Sequence, residues 1–298
     1  MHGSTAREAD RTGNLLLAAF QGAPGAFSEE ALRTYFEAEG FPQPVEPLPC
    51  RSFAEVVAAV QEGRADYGVL PVENTLAGSV TGAYDALADG RLSVIGEIIR
   101  PIRHCLLGLP GTRLEDIRRI VSHPVALAQC TGFLSSQANA ESIAVYDTAG
   151  GAMEVAEGGD PTVAAVASRG AGERYGLEVL AADIQDRDDN QTRFYVVHPE
   201  GRHRPASLGD PADHKTVMVI EVEDRPGSLL DILEPFARRG LNLSKLASRP
   251  APVPWRYRFL LEVQASAEDE EMAFAVGEVE EHATSLRVLG SFRAAPRS

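Results

Sequence analysis

Leu15-Leu16-Leu17-Ala18-Ala19-Phe20-Gln21-Gly22-Ala23-Pro24-Gly25-Ala26-Phe27-Ser28 decides the fold class. Six apolar residues make a buried strand, and Gly22, Pro24 and Gly25 end it. Ser28 reads as the cap of a helix, with Glu29 and Glu30 in its first turn, where negative charge suits the helix dipole. Ala31, Leu32, Tyr35 and Phe36 then fall at helical spacing. Strand, tight loop and amphipathic helix form the opening unit of an α/β protein. The loop admits two readings: a plain tight turn, or a cradle whose backbone N–H groups hold an anion. It is no dinucleotide fingerprint, because the G-x-G turn is missing.

The same rhythm continues outward. Ser52 and Glu55 predict a capping box for a helix carrying Phe53, Val56, Val57 and Val60. Tyr67 to Leu70 is a strand ended at Pro71. Val80, Tyr84 and Leu87 mark a helix, and Leu92 to Ile99 a strand. Ile102 to Leu109, Ile120-Val121, Ala144 to Tyr146, Val163 to Ala167 and Val179 to Ala182 supply more strands, and Pro124 fits the first turn of a helix. Beyond a Pro- and charge-rich stretch the pattern changes. Thr216 to Val222, Leu241 to Ala247, Arg256 to Val263 and Leu286 to Phe292 read as strands. Helices fall at Ser228 to Phe236 and Glu268 to His282. That order is βαββαβ, a ferredoxin-like unit.

A length of 298 residues predicts two domains. A formal net charge of −15 disfavours nucleic acid and anionic membrane as partners. An anionic ligand must then be captured by local cations. Cys50, Cys105 and Cys130 are widely spaced and read as small buried residues. No ligand spacing appears among Cys and His, so neither a structural zinc nor a disulfide framework is suggested, and no motif for a metal or organic cofactor is present. No apolar run reaches the roughly 20 residues that span a bilayer. The lead-in, residues 1–13, lacks a signal-peptide pattern, so the expected location is the cytoplasm.

Three polar knots carry the chemistry. Pro71-Val72-Glu73-Asn74-Thr75 with Gly78-Ser79 lies at a strand's carboxyl end, where open α/β sheets bind ligands. Ser122-His123-Pro124, with Gln129 further along the same helix, is the second. Asn190-Gln191-Thr192-Arg193-Phe194 is the third, joining a hydroxyl, a guanidinium and two amides on the lip of an apolar run. Asp147-Thr148-Ala149-Gly150 is a further strand-end loop. Taken singly, each also reads as a helix cap or a surface strand residue.

Together, in this order, they resemble prephenate dehydratase over residues 14–200. The match rests on Gly22-Ala23-Pro24-Gly25-Ala26-Phe27-Ser28, Pro71-Val72-Glu73-Asn74, Ser122-His123-Pro124 with Gln129-Cys130, and Thr192-Arg193-Phe194. Val125 stands where the family often has Gln. Residues 213–298 are similar to an ACT regulatory domain, through Arg225-Pro226-Gly227-Ser228-Leu229, Ser248-Arg249-Pro250 and Pro254-Trp255. Ala247 stands where that domain usually has Glu before Ser-Arg-Pro.

The resemblance implies a two-lobed α/β domain laid out like periplasmic binding proteins. Lobe 1 would comprise 14–99 plus 188–200, lobe 2 100–187, followed by a linker at 201–212. It implies loss of water and carbon dioxide from prephenate, giving phenylpyruvate on the route to phenylalanine. Arogenate dehydratase and a catalytically dead amino-acid sensor remain alternatives. Expected catalytic residues are Thr192, the hydroxyl-directed donor, with Asn74, Ser122, Gln129 and Glu73. Gly22, Ser28, Thr75, Ser79, Thr148 and Arg193 are expected to bind substrate, Arg193 either gripping a carboxylate or packing structurally. Phenylalanine is expected at Gly227, Ser228, Leu229, Asn242, Leu243, Ser248, Arg249 and Pro250. ACT domains pairing into a homodimer or homotetramer would form that site, with Ala247 weakening the inhibition.

Overall fold

A computed structural model describes residues 15–41, 43–201 and 213–296. The lead-in expected at 1–13 and nearly all of the linker expected at 201–212 lie outside these residues. Contacts divide the chain into two compact units: residues 1–69 with 101–190, and residues 70–100 with 191–298.

From the amino end run β1 (Leu16–Gln21), α1 (Phe27–Ala38), β2 (Val45–Cys50), α2 (Phe53–Gln61) and β3 (Tyr67–Asn74). β4 (Gly78–Ser79), α3 (Thr81–Asp89) and β5 (Leu92–Pro101) follow. Next come β6 (Cys105–Gly108), β7 (Arg119–Ser122), α4 (Pro124–Ala128), α5 (Thr131–Ser136), β8 (Glu141–Ala144) and α6 (Thr148–Gly158). β9 (Val163–Ala167), α7 (Arg169–Tyr175), β10 (Glu178–Ala181) and β11 (Gln191–Pro199) complete the larger module. The C-terminal module holds β12 (His214–Glu221), α8 (Ser228–Arg238), β13 (Leu243–Pro250), β14 (Tyr257–Val263), α9 (Glu270–His282) and β15 (Ser285–Arg293).

In the first unit β1 pairs in parallel with β2 and with the opening of β3, from Ala18↔Tyr67 to Phe20↔Val69. A second sheet there has the order β10-β6-β9-β7-β8. Leu106, Ile120, Ala164, Val166 and Cys130 pack into one core beneath it. Ser52 caps α2 by accepting from Glu55 N, as the capping box predicts. Ser28, however, is not a cap. Ala26 holds that position without a side-chain bond, and Ser28 is a buried residue of the first turn. A Cβ at Gly25 would sit 2.9 Å from Ala171 Cα, and φ there is +91°, so only glycine fits this close approach. The strand expected from Ile102 to Leu109 shortens to β6, and the helix after His123 breaks into two short helices, with Gln129 as the C-cap of α4.

In the second unit β11 lies between β3 and β5, and β4 folds back antiparallel on the end of β3. The C-terminal sheet runs β13-β14-β12-β15, and its three pairings are antiparallel. Met218, Ile220, Leu261 and Val263 on its inner face meet Ile232 and Phe236 of α8 and Met272, Ala275 and Val279 of α9. Gly290 of β15 comes so close to Val94 O of β5 that a side-chain carbon could not be placed between them.

Candidate active site

In the second unit, Asn74 ends β3 and Thr192 is the second residue of β11; both are buried. Asn74 Nδ2 donates to Thr192 Oγ1 at 2.9 Å and to Gln191 O at 3.0 Å. Asn74 Oδ1 accepts from Leu76 N (2.9 Å) and Ala77 N (2.8 Å). The amide is thus held at both ends, in the side-chain-to-backbone turn that Asn favours. Thr192 Oγ1 receives a donor from Asn74, so its own proton is directed away from the amide. Thr75, expected on substrate, instead clips the two strands: its N donates to Gln191 O (2.9 Å), and its Oγ1 accepts from Gln191 N (3.0 Å). Ser79 is exposed on β4, opposite Glu73.

Strand alternation sends Glu73 and Arg193 to the face opposite Asn74 and Thr192. There Arg193 forms a two-pronged pair with Glu262 (2.7 Å each) and reaches Glu73 (2.6 Å) and Glu97 (3.1 Å). Tyr195 OH donates to Glu262 in a short hydrogen bond. Lys215 Nζ lies 2.9 Å from Glu97, and Lys245 Nζ 2.7 Å from Glu73. Burial by itself would raise the Glu262 pKa, and Arg193, Lys215 and Tyr195 together lower it. For Glu73 burial is likewise outweighed, by Lys245 and Arg193, and the net shift is downward. Arg193, expected either to grip a carboxylate or to pack structurally, is thus ion-paired with Glu262, Glu73 and Glu97, and Glu73, expected among the catalytic groups, with Arg193 and Lys245. A cavity of about 700 Å³ borders Glu73, Glu97, Arg193, Lys215 and Glu262. Those charges are spent on one another, and Asn74 and Thr192 do not line it.

In the first unit, Ser122 ends β7 fully buried, and its Oγ donates to Val166 O at 2.6 Å. That hydroxyl ties two strands together. His123 caps α4, its Nδ1 accepting from Val125 N (3.2 Å). Gln129 is more telling. His104 Nε2 and Asn190 Nδ2 converge on its Oε1 at 3.1 and 3.0 Å. With both as donors, His104 carries its proton on Nε2, and the Gln129 amide nitrogen faces away from them. Burial lowers the His104 pKa, and its bond to Gln129 only partly offsets this, so the ring stays neutral. Phe27 stacks edge-on against it at 5.4 Å.

The loop at Gly22 is the tight turn of the two readings. Gly22 N donates to Cys50 O, Ala26 N to Ala23 O, and Gly25 N to Glu29 Oε2 at 2.8 Å. A carboxylate of the chain itself thus takes the Gly25 N–H. Thr148 opens α6 behind Asp147, whose Oδ1 accepts from Gly150 N, so this knot is a helix cap. The cysteines are buried and unpaired, and burial pushes the thiols of Cys50 and Cys130 up to about 11 and about 12.

Two family models match the chain: prephenate dehydratase over residues 18–202, and ACT domain over residues 216–276. The chain belongs to the prephenate dehydratase family. Arogenate dehydratase/prephenate dehydratase 2 of Arabidopsis thaliana is 40% identical over 295 residues, covering 96% of this chain and 74% of that protein. The bifunctional N-acyl-homoserine lactone acylase/prephenate dehydratase of Komagataeibacter europaeus is 37% identical, covering 93% and 96%. The crystal structure of the Arthrobacter aurescens prephenate dehydratase with L-Phe superposes with a TM-score of 0.84 at 34% identity, covering 93% of this chain and 90% of that one. The α/β class, with a periplasmic-binding-protein-like dehydratase module and a C-terminal ferredoxin-like ACT module, holds as expected.

In the ACT module of this family member, Gly227 caps α8 with φ +91°, and a Cβ there would meet nothing within 4 Å. Ser228 is buried, and its Oγ has no hydrogen-bond partner among the described residues. Leu229 packs against the module's core. Asn242 pairs with Gln264 (2.7 Å) just before Leu243 opens β13, while Ser248 and Pro250 are exposed at its far end. Arg249, expected near phenylalanine, pairs with Asp85 of α3 (2.6 and 2.9 Å). Sequence reasoning missed His104, Glu97, Lys215, Lys245 and Glu262. The one available signal for Glu262 was a charge in the apolar run Phe259 to Val263.

Proposed function

We propose that the protein is a prephenate dehydratase that makes phenylpyruvate and is inhibited by phenylalanine through its ACT module. The observation that carries this is the 2.9 Å bond from Asn74 Nδ2 to Thr192 Oγ1. The bond from the ring carbon to its carboxylate breaks, and carbon dioxide leaves. The electron pair moves through the diene, and the ring hydroxyl departs as water with a proton from Thr192 Oγ1. A threonine hydroxyl is a weak acid on its own. A fixed amide donor at its oxygen stabilises the charge that develops there as the proton leaves, which is where preorganised donors contribute most. In the other unit, the Gln129 amide, oriented by His104 and Asn190, is suited by itself to bond an oxygen of a ligand. The overall balance is prephenate plus one proton going to phenylpyruvate, carbon dioxide and water, and it needs no redox partner.

Arogenate is the second substrate to weigh, because relatives of this chain carry both names. The test is an assay of the purified protein with prephenate and with arogenate, following the aromatic product. Turnover of prephenate supports the reading. Turnover of arogenate alone moves the chemistry to the aminated side chain. No turnover of either, with phenylalanine still bound, returns the protein to the sensor reading. Calorimetry with phenylalanine tests the regulatory half.

A further inference from the structure

Glu262 and Lys245, two residues of the ACT sheet, we infer to be positioning residues for the Asn74–Thr192 pair. The inference rests on Thr192 being the proton donor. Each member of the pair has a chain neighbour on the opposite face, Glu73 beside Asn74 and Arg193 beside Thr192, and these neighbours bond to each other at 2.6 Å. Their remaining bonding capacity is taken up largely from the ACT sheet. Lys245 Nζ of β13 meets Glu73 Oε1 at 2.7 Å, and Glu262 of β14 takes both prongs of Arg193 at 2.7 Å. Lys245 also lies 5.0 Å from the centroid of the Tyr84 ring. Tyr195, two residues beyond Arg193 on the same face, donates to the same carboxylate.

A two-pronged guanidinium–carboxylate pair fixes distance and plane together, as a point charge does not. Glu262 is 1% exposed at its side chain and Arg193 11%, so solvent screens this pair little. The strands β3 and β11 are therefore held from behind by charges that belong to another module. The separation of Asn74 Nδ2 from Thr192 Oγ1 depends on that hold. A displacement of about 1 Å at a reacting group costs on the order of a hundredfold in rate. Both residues thereby act on the chemistry without touching substrate.

Deleting the ACT module would remove the clamp together with the regulatory site, so the full-length protein is used. Lys245→Met keeps the aliphatic stem and removes the charge facing Glu73, which is itself 39% exposed and can be solvated. The expected result is a fall in kcat of roughly ten- to a hundredfold with KM within threefold. The Asn74 side-chain amide signals in a 15N–1H spectrum should also shift, and Lys245→Arg should restore both. If Lys245→Met does not fold, Arg193→Lys, which keeps the charge and loses the fork, is read in the same two ways. Folded variants with kcat within twofold of the parent, or with an unmoved Asn74 amide, overturn the inference. If the parent turns over neither prephenate nor arogenate, the proposed function fails. The inference, which needs a reacting Thr192, then falls with it, whereas unaffected variants of an active parent overturn the inference alone.

Discussion

Two buried polar networks in this chain solve opposite problems. Around Gln129 the partners are neutral: one imidazole and one carboxamide, both donating to a single oxygen. Around Arg193 they are ions, with Arg193, Lys215 and Lys245 set against Glu73, Glu97 and Glu262. The neutral network orients one amide and asks little desolvation of its members. The ionic network holds strands in register, and each member depends on the others remaining charged. Amides aim a group, whereas buried ions fasten elements together. The difference shows when one member is removed, because an uncompensated buried charge costs far more than an unmade neutral hydrogen bond.

The largest expected effect breaks the chemistry itself. Thr192→Ala should cut turnover by about two to four orders of magnitude with little change in KM, the range for losing a positioned proton donor. Asn74→Ala should follow at about two to three orders, the range for one preorganised donor. Steady-state kinetics on folded protein checks both, and a Thr192→Ala enzyme of near-normal turnover would remove Thr192 from the mechanism. Next comes the ionic network. Glu262→Gln leaves Arg193 short of its main partner and should destabilise the fold by about 3–5 kcal/mol in urea unfolding. His104→Leu should cost only about 1–3 kcal/mol, the range for one unmade buried bond. Equal losses for the two variants would erase the contrast.

The smallest effect separates the networks by pH. The His104 pKa is lowered by burial, so the folded ring refuses a proton that the unfolded chain accepts. Its contribution is fully present above an unfolded value of about 6.5 and is lost as pH falls below it. The Glu262 and Glu73 pKa values are lowered in spite of burial, by Arg193 with Lys215 and Tyr195 at Glu262 and by Lys245 with Arg193 at Glu73. Their contribution is present above an unfolded value of about 4.3 and is lost as pH falls through the folded values. Tm measured against pH should therefore decline in two windows. His104→Leu should flatten only the upper one and Glu262→Gln only the lower.

Much of this was legible in the sequence, for identifiable reasons. Local punctuation marked the elements: Gly22 to Gly25 ended β1, Ser52 capped α2, and Pro226-Gly227 opened α8. Asn74 and Thr192 stood in short motifs whose spacing along the chain is itself informative. The direction of a side chain is a different matter. Ser122 and Arg193 sat in equally clear motifs, yet Ser122 bonds Val166 O within its sheet and Arg193 turns to Glu262. Those partners lie 44 and 69 residues away, and no local pattern encodes such pairings. His104 was invisible for the same reason, being a lone histidine in an apolar stretch until the fold brought Gln129 to it.

Gly290 has a meaning for how such proteins are assembled and engineered. With Val94 O well inside contact distance of where a Cβ would stand, no residue bearing a side chain fits there without the two strands parting. A regulatory module borrowed from a relative must therefore bring a glycine at this one place in its last strand, whatever its ligand loop contains. Transplants that copy every other contact but neglect this position should yield chains whose ACT sheet no longer seats against β5.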